Sequence, residues 1–311
     1  GKDTINWTSN GTAAQVAVVV KGGDDRDSIS IASGGAFAAA NITGGKAMDT
    51  ITFLANDTTS KVSGGKGKDS ITIGITAAGG AATLGSAIGG DGKDSIVITT
   101  GATVSSVIGG GQKDTINLGA FFNGGAVYGD GGSSTTDGAD LLGNTALNAL
   151  AAGSLYGGGG NDTINIATAD QGLVVTGDAG NDSIALIAGE SAISINGGAG
   201  SDTISFGNTG ITGVATSLVA NVDGGADNDL IYIGSSTAQT EINGFATVSG
   251  GAGDDTITFT MGSGNSSPGT IALTGGAGND TITGSVEIDT ITGGTGTDTM
   301  TGGTGNDIFI I

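Results

Sequence analysis

The chain has 311 residues, of which 65 are Gly, one is Pro (Pro268), and none is Cys or His. That inventory excludes collagen, which needs abundant Pro in a strict three-residue period, and also disulfide frameworks, thiolate metal sites, Ser-His-Asp triads and zincins. The net charge is −21, and all nine cations (Lys2, Lys21, Arg26, Lys46, Lys61, Lys66, Lys68, Lys93 and Lys113) precede residue 114. Such a balance repels nucleic acid and anionic membranes and makes small cations the natural partners.

Apolar residues make up 37% of the chain and recur in Ile, Val, Leu and Phe clusters, which argues for a packed core rather than disorder. No stretch of about 18 apolar residues is present, so no helical membrane span is expected. From the first residues onward the chain repeats one unit. A glycine-rich loop ending in Asp leads into Thr or Ser and then two apolar residues in alternation: "DSISI" at 27–31, "DTITF" at 49–53, "DSITI" at 69–73, "DSIVI" at 94–98. Alternation turns both apolar side chains to one side, as in a half-buried strand. After a variable stretch, a second short strand returns to the next glycine pair, as in "NITGG" at 41–45, "SINGG" at 194–198 and "ALTGG" at 272–276.

Aligned on the loop Asp, the units fall at Asp3, Asp27, Asp49, Asp69, Asp94, Asp114, Asp140, Asp162, Asp182, Asp202, Asp229, Asp255, Asp280, Asp289, Asp298 and Asp307. The spacing is 20–27 residues up to Asp280 and nine thereafter. Residues 1–279 therefore read as long coils, and 280–311 as a nonapeptide tract continuous with them. The longest irregularity runs from "GDGGSSTTDGADLLGN" at 129–144 into Thr145–Leu155, which has the length for one helical turn but is closely bracketed by Gly143 and Gly153.

A strand pair this short cannot bury its apolar face alone, whereas stacked coils can, each strand pairing in parallel with its equivalent in the next. The expected fold is all-β: a right-handed parallel β-roll or β-solenoid of about 14 coils, a rod of roughly 65–70 Å at about 4.8 Å per coil. Its inner face would stack Ile29, Ile51, Ile71, Ile96, Ile116, Ile164, Ile184, Ile204, Ile231, Ile257 and Ile282. The chain opens within a repeat and closes within one, and it reads as a fragment of a longer protein whose missing sequence, or another subunit, caps the exposed strand edges.

The loops carry the chemistry. A turn with several positive-φ positions needs Gly and points carbonyl oxygens inward. Stacking such turns sets one carboxylate above the next, and like charges that close repel unless a cation lies between them. An all-oxygen donor set suits calcium, fits magnesium less well because that ion keeps its water, and disfavours zinc and copper.

The loops resemble the RTX (hemolysin-type) calcium-binding nonapeptide G-G-x-G-x-D-x-U-x, a known β-helix signature. Matches include "GGGGNDTIN" at 157–165, "GGAGSDTIS" at 197–205, "GGAGDDTIT" at 250–258, "GGAGNDTIT" at 275–283 and "GGTGNDIFI" at 302–310. The resemblance implies several calcium ions, each shared between neighbouring loops on one edge. Asp27, Asp49, Asp69, Asp94, Asp114, Asp140, Asp162, Asp182, Asp202, Asp229, Asp255, Asp280, Asp289, Asp298 and Asp307 would be metal ligands. They would act with backbone carbonyls of the first loop positions, such as Gly157, Gly158, Gly160, Gly197, Gly198, Gly200, Gly275, Gly276 and Gly278. Loops nine residues apart alternate edges, so Asp280 should stack with Asp298 and Asp289 with Asp307. Elsewhere the sites form a single file of at most 13 gaps. Before the Asp, Asn161, Asn181, Asn279 and Asn306 fit the family pattern. Lys2, Arg26, Met48, Lys68, Lys93 and Lys113 depart from it and suggest weaker calcium binding before residue 115.

For function, the resemblance and composition imply a non-enzymatic, calcium-stiffened, self-assembling structural protein of the bacterial cell surface: a surface layer, sheath or extracellular matrix component. Expected partners are calcium, further copies, other surface proteins or polysaccharide, and not nucleic acid. The family implies an extracellular location and type I secretion. The alternative is the repeat portion of a secreted toxin or hydrolase with its catalytic domain elsewhere. A polysaccharide lyase on the solenoid itself lacks any constellation standing out from the repeats. Ice binding would need a flat Thr array, for which only Thr295 and Thr304 offer members among the loops.

Overall fold

A computed structural model describes residues 1–9, 17–36, 39–74, 82–99, 102–119, 125–131, 138–144, 153–166, 172–186, 193–206, 220–234, 246–260 and 271–311. It is a parallel β-solenoid, without helix among the described residues. Among the described residues no helix is long and apolar enough to cross a membrane. The chain divides into two compact units, Gly1–Gly160 and Asn161–Ile311. The step from long coils to nonapeptide spacing falls inside the second. The segment considered for a helical turn lies outside the described residues up to 152, and strand resumes at Ser154–Gly159.

Each unit has two parallel ladders, one strand after the loop Asp and one leading into the next glycine pair. In the first unit the post-Asp ladder begins Thr4–Ser9, Ser28–Ala36, Thr50–Lys66 and Ser70–Gly74, and ends at Leu141–Asn144. Its register is unbroken from Ile5 through Ile29, Ile51, Ile71, Ile96 and Ile116 to Leu142. The strand Thr50–Lys66 turns the corner and serves both ladders. The second ladder stacks Val20, Ile42, Val62, Ala87, Val107, Val127 and Leu155.

The second unit repeats the plan. Ile164, Ile184, Ile204, Ile231, Ile257, Ile282 and Met300 stack on one side. Val175, Ile195, Val222, Val248, Leu273, Ile291 and Phe309 stack on the other. The expected Ile ladder is therefore present, with Ile5, Leu142 and Met300 as further rungs. These positions are β-branched for the most part, which suits a pleated ladder, and nearly all are withdrawn from water. Full burial of each Ile, Val or Leu among them contributes about 1.5–3 kcal/mol. The two ladders face each other across this core and hold the loops in register at the edge where they meet.

Candidate metal centre

With loop positions numbered one to six from the first Gly to the Asp, the stacking fixes what each must be. A Cβ on the first Gly would collide with the carboxylate of its own loop's Asp and with the first-Gly carbonyl of the next coil, as at Gly44 with Asp49 and Gly64 and at Gly197 with Asp202 and Gly224. Position two has positive φ and abuts the backbone of the preceding coil: Gly198 has φ +116° against Asp178. Position four is also left-handed, at +112° in Gly200, and three times without Gly, at Ala47, Gln112 and Asp227.

The Asp closes the loop by reaching back one coil. In the first unit the N–H of Asp3 donates to Oδ1 of Asp27, Asp27 to Asp49, Asp49 to Asp69, Asp69 to Asp94, Asp94 to Asp114 and Asp114 to Asp140, at 2.6–2.7 Å. In the second unit Asp162, Asp182, Asp202, Asp229, Asp255, Asp280 and Asp298 are joined in the same way, at 2.7–3.0 Å. The backbone carbonyls of these aspartates are engaged as well, for example by Thr50 N–H on Asp27 and Thr203 N–H on Asp182. In ten of these residues one carboxylate oxygen is left over. From Asp27 to Asp280 the file is only 0–3% exposed. Oδ2 is buried without a hydrogen-bond donor in Asp27, Asp49, Asp69, Asp94, Asp114, Asp182, Asp202, Asp229, Asp255 and Asp280.

A buried, unpaired anionic oxygen is costly, and repeated coil after coil it calls for a cation. The electrostatics agree. Burial pushes the carboxyl of Asp114 up to about 8, those of Asp69 and Asp229 to about 7, and those of Asp94, Asp202 and Asp255 to about 6. In each, the hydrogen bond from the preceding Asp opposes the shift and neighbouring carboxylates add to it. Asp49, Asp182 and Asp280 are raised by the same burial. No three carboxylates converge on one point among the described residues. The donor set is thus one hard carboxylate oxygen per coil plus main-chain oxygens, which fits calcium and offers transition metals nothing soft.

The structure brings together the file expected from the sequence and stacks the nonapeptide loops on alternate edges, Asp280 under Asp298 and Asp289 under Asp307. Asp298 and Asp307 are half-buried. Asp289 differs from the file: its loop reads "GSVEID", and Ser285 donates to it from N–H at 2.7 Å and from Oγ at 3.2 Å. Its carboxyl is also pushed up, by burial first. In the irregular coil at 129–140, Asp130 takes a position normally held by Gly, and its Oδ2 accepts from Gly159 N–H at 2.7 Å. Gly158, at φ +106°, packs against this Asp130 side chain.

Position five holds a feature that the motif does not announce. In the second unit Asn161 Oδ1 accepts from Asn181 N–H and Asn181 Oδ1 from Ser201 N–H. Asn228, Asp254 and Asn279 continue the series to Asp254, Asn279 and Thr297. This ladder reaches forward one coil where the Asp file reaches back. In the first unit the position carries Lys, Arg or Met up to Asp114 and Ala139 before Asp140, and no described ion pair joins any of these to a file Asp.

Such a molecule is a parallel β-solenoid with a metal-binding edge. The model of the RTX calcium-binding nonapeptide repeat matches it in four copies, at 154–165, 194–208, 243–263 and 274–309. The chain carries RTX calcium-binding repeats, and its metal is calcium, bound as several ions. A similar solved fold is the X-ray crystal structure of a hyperactive, Ca2+-dependent, beta-helical antifreeze protein from an Antarctic bacterium. It has a TM-score of 0.58 and 20% identity over 90% of this chain and 84% of that one. At that identity the likeness is one of fold. No curated protein matches the chain.

Proposed function

We propose that this protein is a calcium-stiffened structural component of the bacterial cell surface, in a surface layer, sheath or extracellular matrix, with the Asp file as its calcium ligands. The observation that carries the reading is the file itself. Buried carboxylates with an unsatisfied oxygen run through coil after coil of both units, and a cation joining them would satisfy that oxygen and offset their mutual repulsion. Asp27 to Asp280, with Asp298, would hold the ions, together with main-chain oxygens of loops such as 157–160, 197–200 and 275–278. When bound, calcium supplies the positive charge that the loops lack. The chain's own residues set the spacing, exclude water from the file and lock each loop to the next. Outside the cell, where calcium is abundant, the edges would be cross-linked, whereas in low calcium the same edges repel.

The antifreeze action of the structural neighbour is not part of this reading. Position three, which a flat Thr array would occupy, holds Asp24, Lys46, Lys66 and Asp91 in the first unit and mainly Ala in the second, with Thr at Thr295 and Thr304 alone. The test is to wash intact cells with a calcium chelator and to image the released material after calcium is restored. Release from the outer surface, followed by ordered sheets or filaments in negative-stain electron microscopy, is expected. Retention inside the cell, or material that stays monomeric at millimolar calcium, would overturn the proposal.

A further inference from the structure

We propose that the position-five side chains of the first unit form a docking row for a linear acidic polysaccharide lying along the loop edge. The row consists of Lys2, Arg26, Lys68, Lys93 and Lys113, with Met48 as its one neutral member between them. Every one of these side chains is exposed. Each stands next to a file Asp, and the N–H to Oδ1 bonds hold successive aspartates in register. The row therefore advances by one coil, about 4.8 Å, per member. Arg26 extends to within 3.9 Å of Met48 Sδ, so neighbouring members reach one another.

Two rows of charges on the same edge behave differently. At position three the charges pair between coils: Lys46 with Asp24 at 3.1 Å and Lys66 with Asp91 at 3.0 Å. Asp24 and Asp91 are thus already matched, and the file acids from Asp27 to Asp280 are buried. At position five no described ion pair involves any member. A line of like charges one coil apart repels itself and gains by meeting an anion that repeats at the same interval. This inference rests on the calcium reading in one respect: metal on the file neutralises the buried carboxylates and leaves the field of the row unopposed.

The dimensions select the ligand. The row is one side chain wide, which suits a single extended chain rather than the broad face of a membrane. A polyuronate carries one carboxylate per sugar and advances per sugar by close to the coil spacing. Single-stranded nucleic acid is bound on aromatic platforms, and none of the row members is aromatic.

The experiment measures binding of labelled galacturonate oligomers, short enough not to gel with calcium, to the full chain and to Lys68→Gln/Lys93→Gln/Lys113→Gln. Free calcium is held fixed, and neutral dextran oligomers, an oligodeoxynucleotide and phosphatidylglycerol vesicles serve as further probes. Galacturonate should bind the parent protein, weaken as salt is raised, and bind the variant at least about tenfold less tightly, while dextran does not bind. Absence of binding to the parent, equal binding to the variant, or tighter binding of the oligonucleotide or the vesicles would overturn the proposal. Far-UV circular dichroism with added calcium is read on both proteins. A normal calcium response without galacturonate binding refutes the docking row alone. Galacturonate binding that is lost in the variant, with no calcium response in either protein, refutes the calcium reading alone.

Discussion

Both units bury an Asp file, yet they surround it differently. In the second unit the residue before each file Asp is Asn, Asp, Ser or Thr, and its side chain accepts a backbone N–H of the next coil wherever Asn161, Asn181, Asn228, Asp254 or Asn279 stands there. Each of those loops is tied to its neighbour twice, by a carboxylate reaching back and a polar side chain reaching forward. In the first unit cations replace that second tie, and charged pairs such as Lys46–Asp24 stand nearby at well-exposed positions where ion pairs add little. All four RTX matches lie between residues 154 and 309. The lesson is that the Asp alone builds the file, while position five decides whether the loop edge is self-linked or left charged toward the outside.

The largest expected effect comes from damage to what the units share. Ile51→Ala and Ile204→Ala each empty a fully buried ladder position and should cost about 2–5 kcal/mol in chemical denaturation. The two losses should be alike with and without calcium, and a loss confined to one metal state would mean that the ladder is not the common frame. Next is removal of the anion. Asp202→Asn and Asp69→Asn retain an acceptor for the N–H of the preceding coil but discard the buried charge. In chelator each should raise stability by about 1–3 kcal/mol, and in calcium each should blunt the metal-induced gain. If both variants lose stability in chelator, the file is not strained without metal.

The pH response follows from the same carboxylates. Their carboxyls are raised in the folded protein, to about 8 in Asp114 and about 7 in Asp69 and Asp229. The folded state therefore holds more protons than the unfolded chain above about pH 4. Stability in chelator should be full below that point and be lost as pH rises through about 6 to 8. Calcium competes with these protons, so its stabilising effect should grow over the same range. Thermal melts at stepped pH, with and without calcium, check both slopes. The smallest effect isolates the contrast between the units. Asn181→Ala should cost about 0.5–1.5 kcal/mol by removing one rung of the forward ladder, whereas Lys68→Ala should leave stability unchanged within error. Equal losses would erase the distinction drawn at position five.

Much of this was legible in the sequence because stacking repeats each constraint at every coil. The Ile positions and the Asp file itself follow from period and spacing, the alternation of Asp280 and Asp289 between edges is what the RTX resemblance implies, and the structure has them in those places. What was illegible depends on direction and on neighbours distant in sequence. Spacing alone does not say that Asp49 Oδ1 turns back to Asp27 while Asn161 Oδ1 turns forward to Asn181. Ser285 hydrogen-bonds to the carboxylate of Asp289 in a loop that has lost its second Gly, and only the absence of that Gly hinted at a difference. The role of Asp130, 29 residues from Gly159, lay hidden in an insertion that breaks the motif. The lysines before residue 115 do signal a departure from the pattern, but the structure pairs Lys46 and Lys66 at position three and leaves the position-five row facing outward.

The central claim is that calcium supplies the charge missing from the buried file. Far-UV circular dichroism of chelator-treated protein during a calcium titration, with magnesium as the control, tests it most directly. The account predicts a cooperative gain of β signal with calcium and little change with magnesium, weakened in Asp202→Asn. A full β signal in chelator that neither ion alters in amplitude or in melting temperature would contradict it.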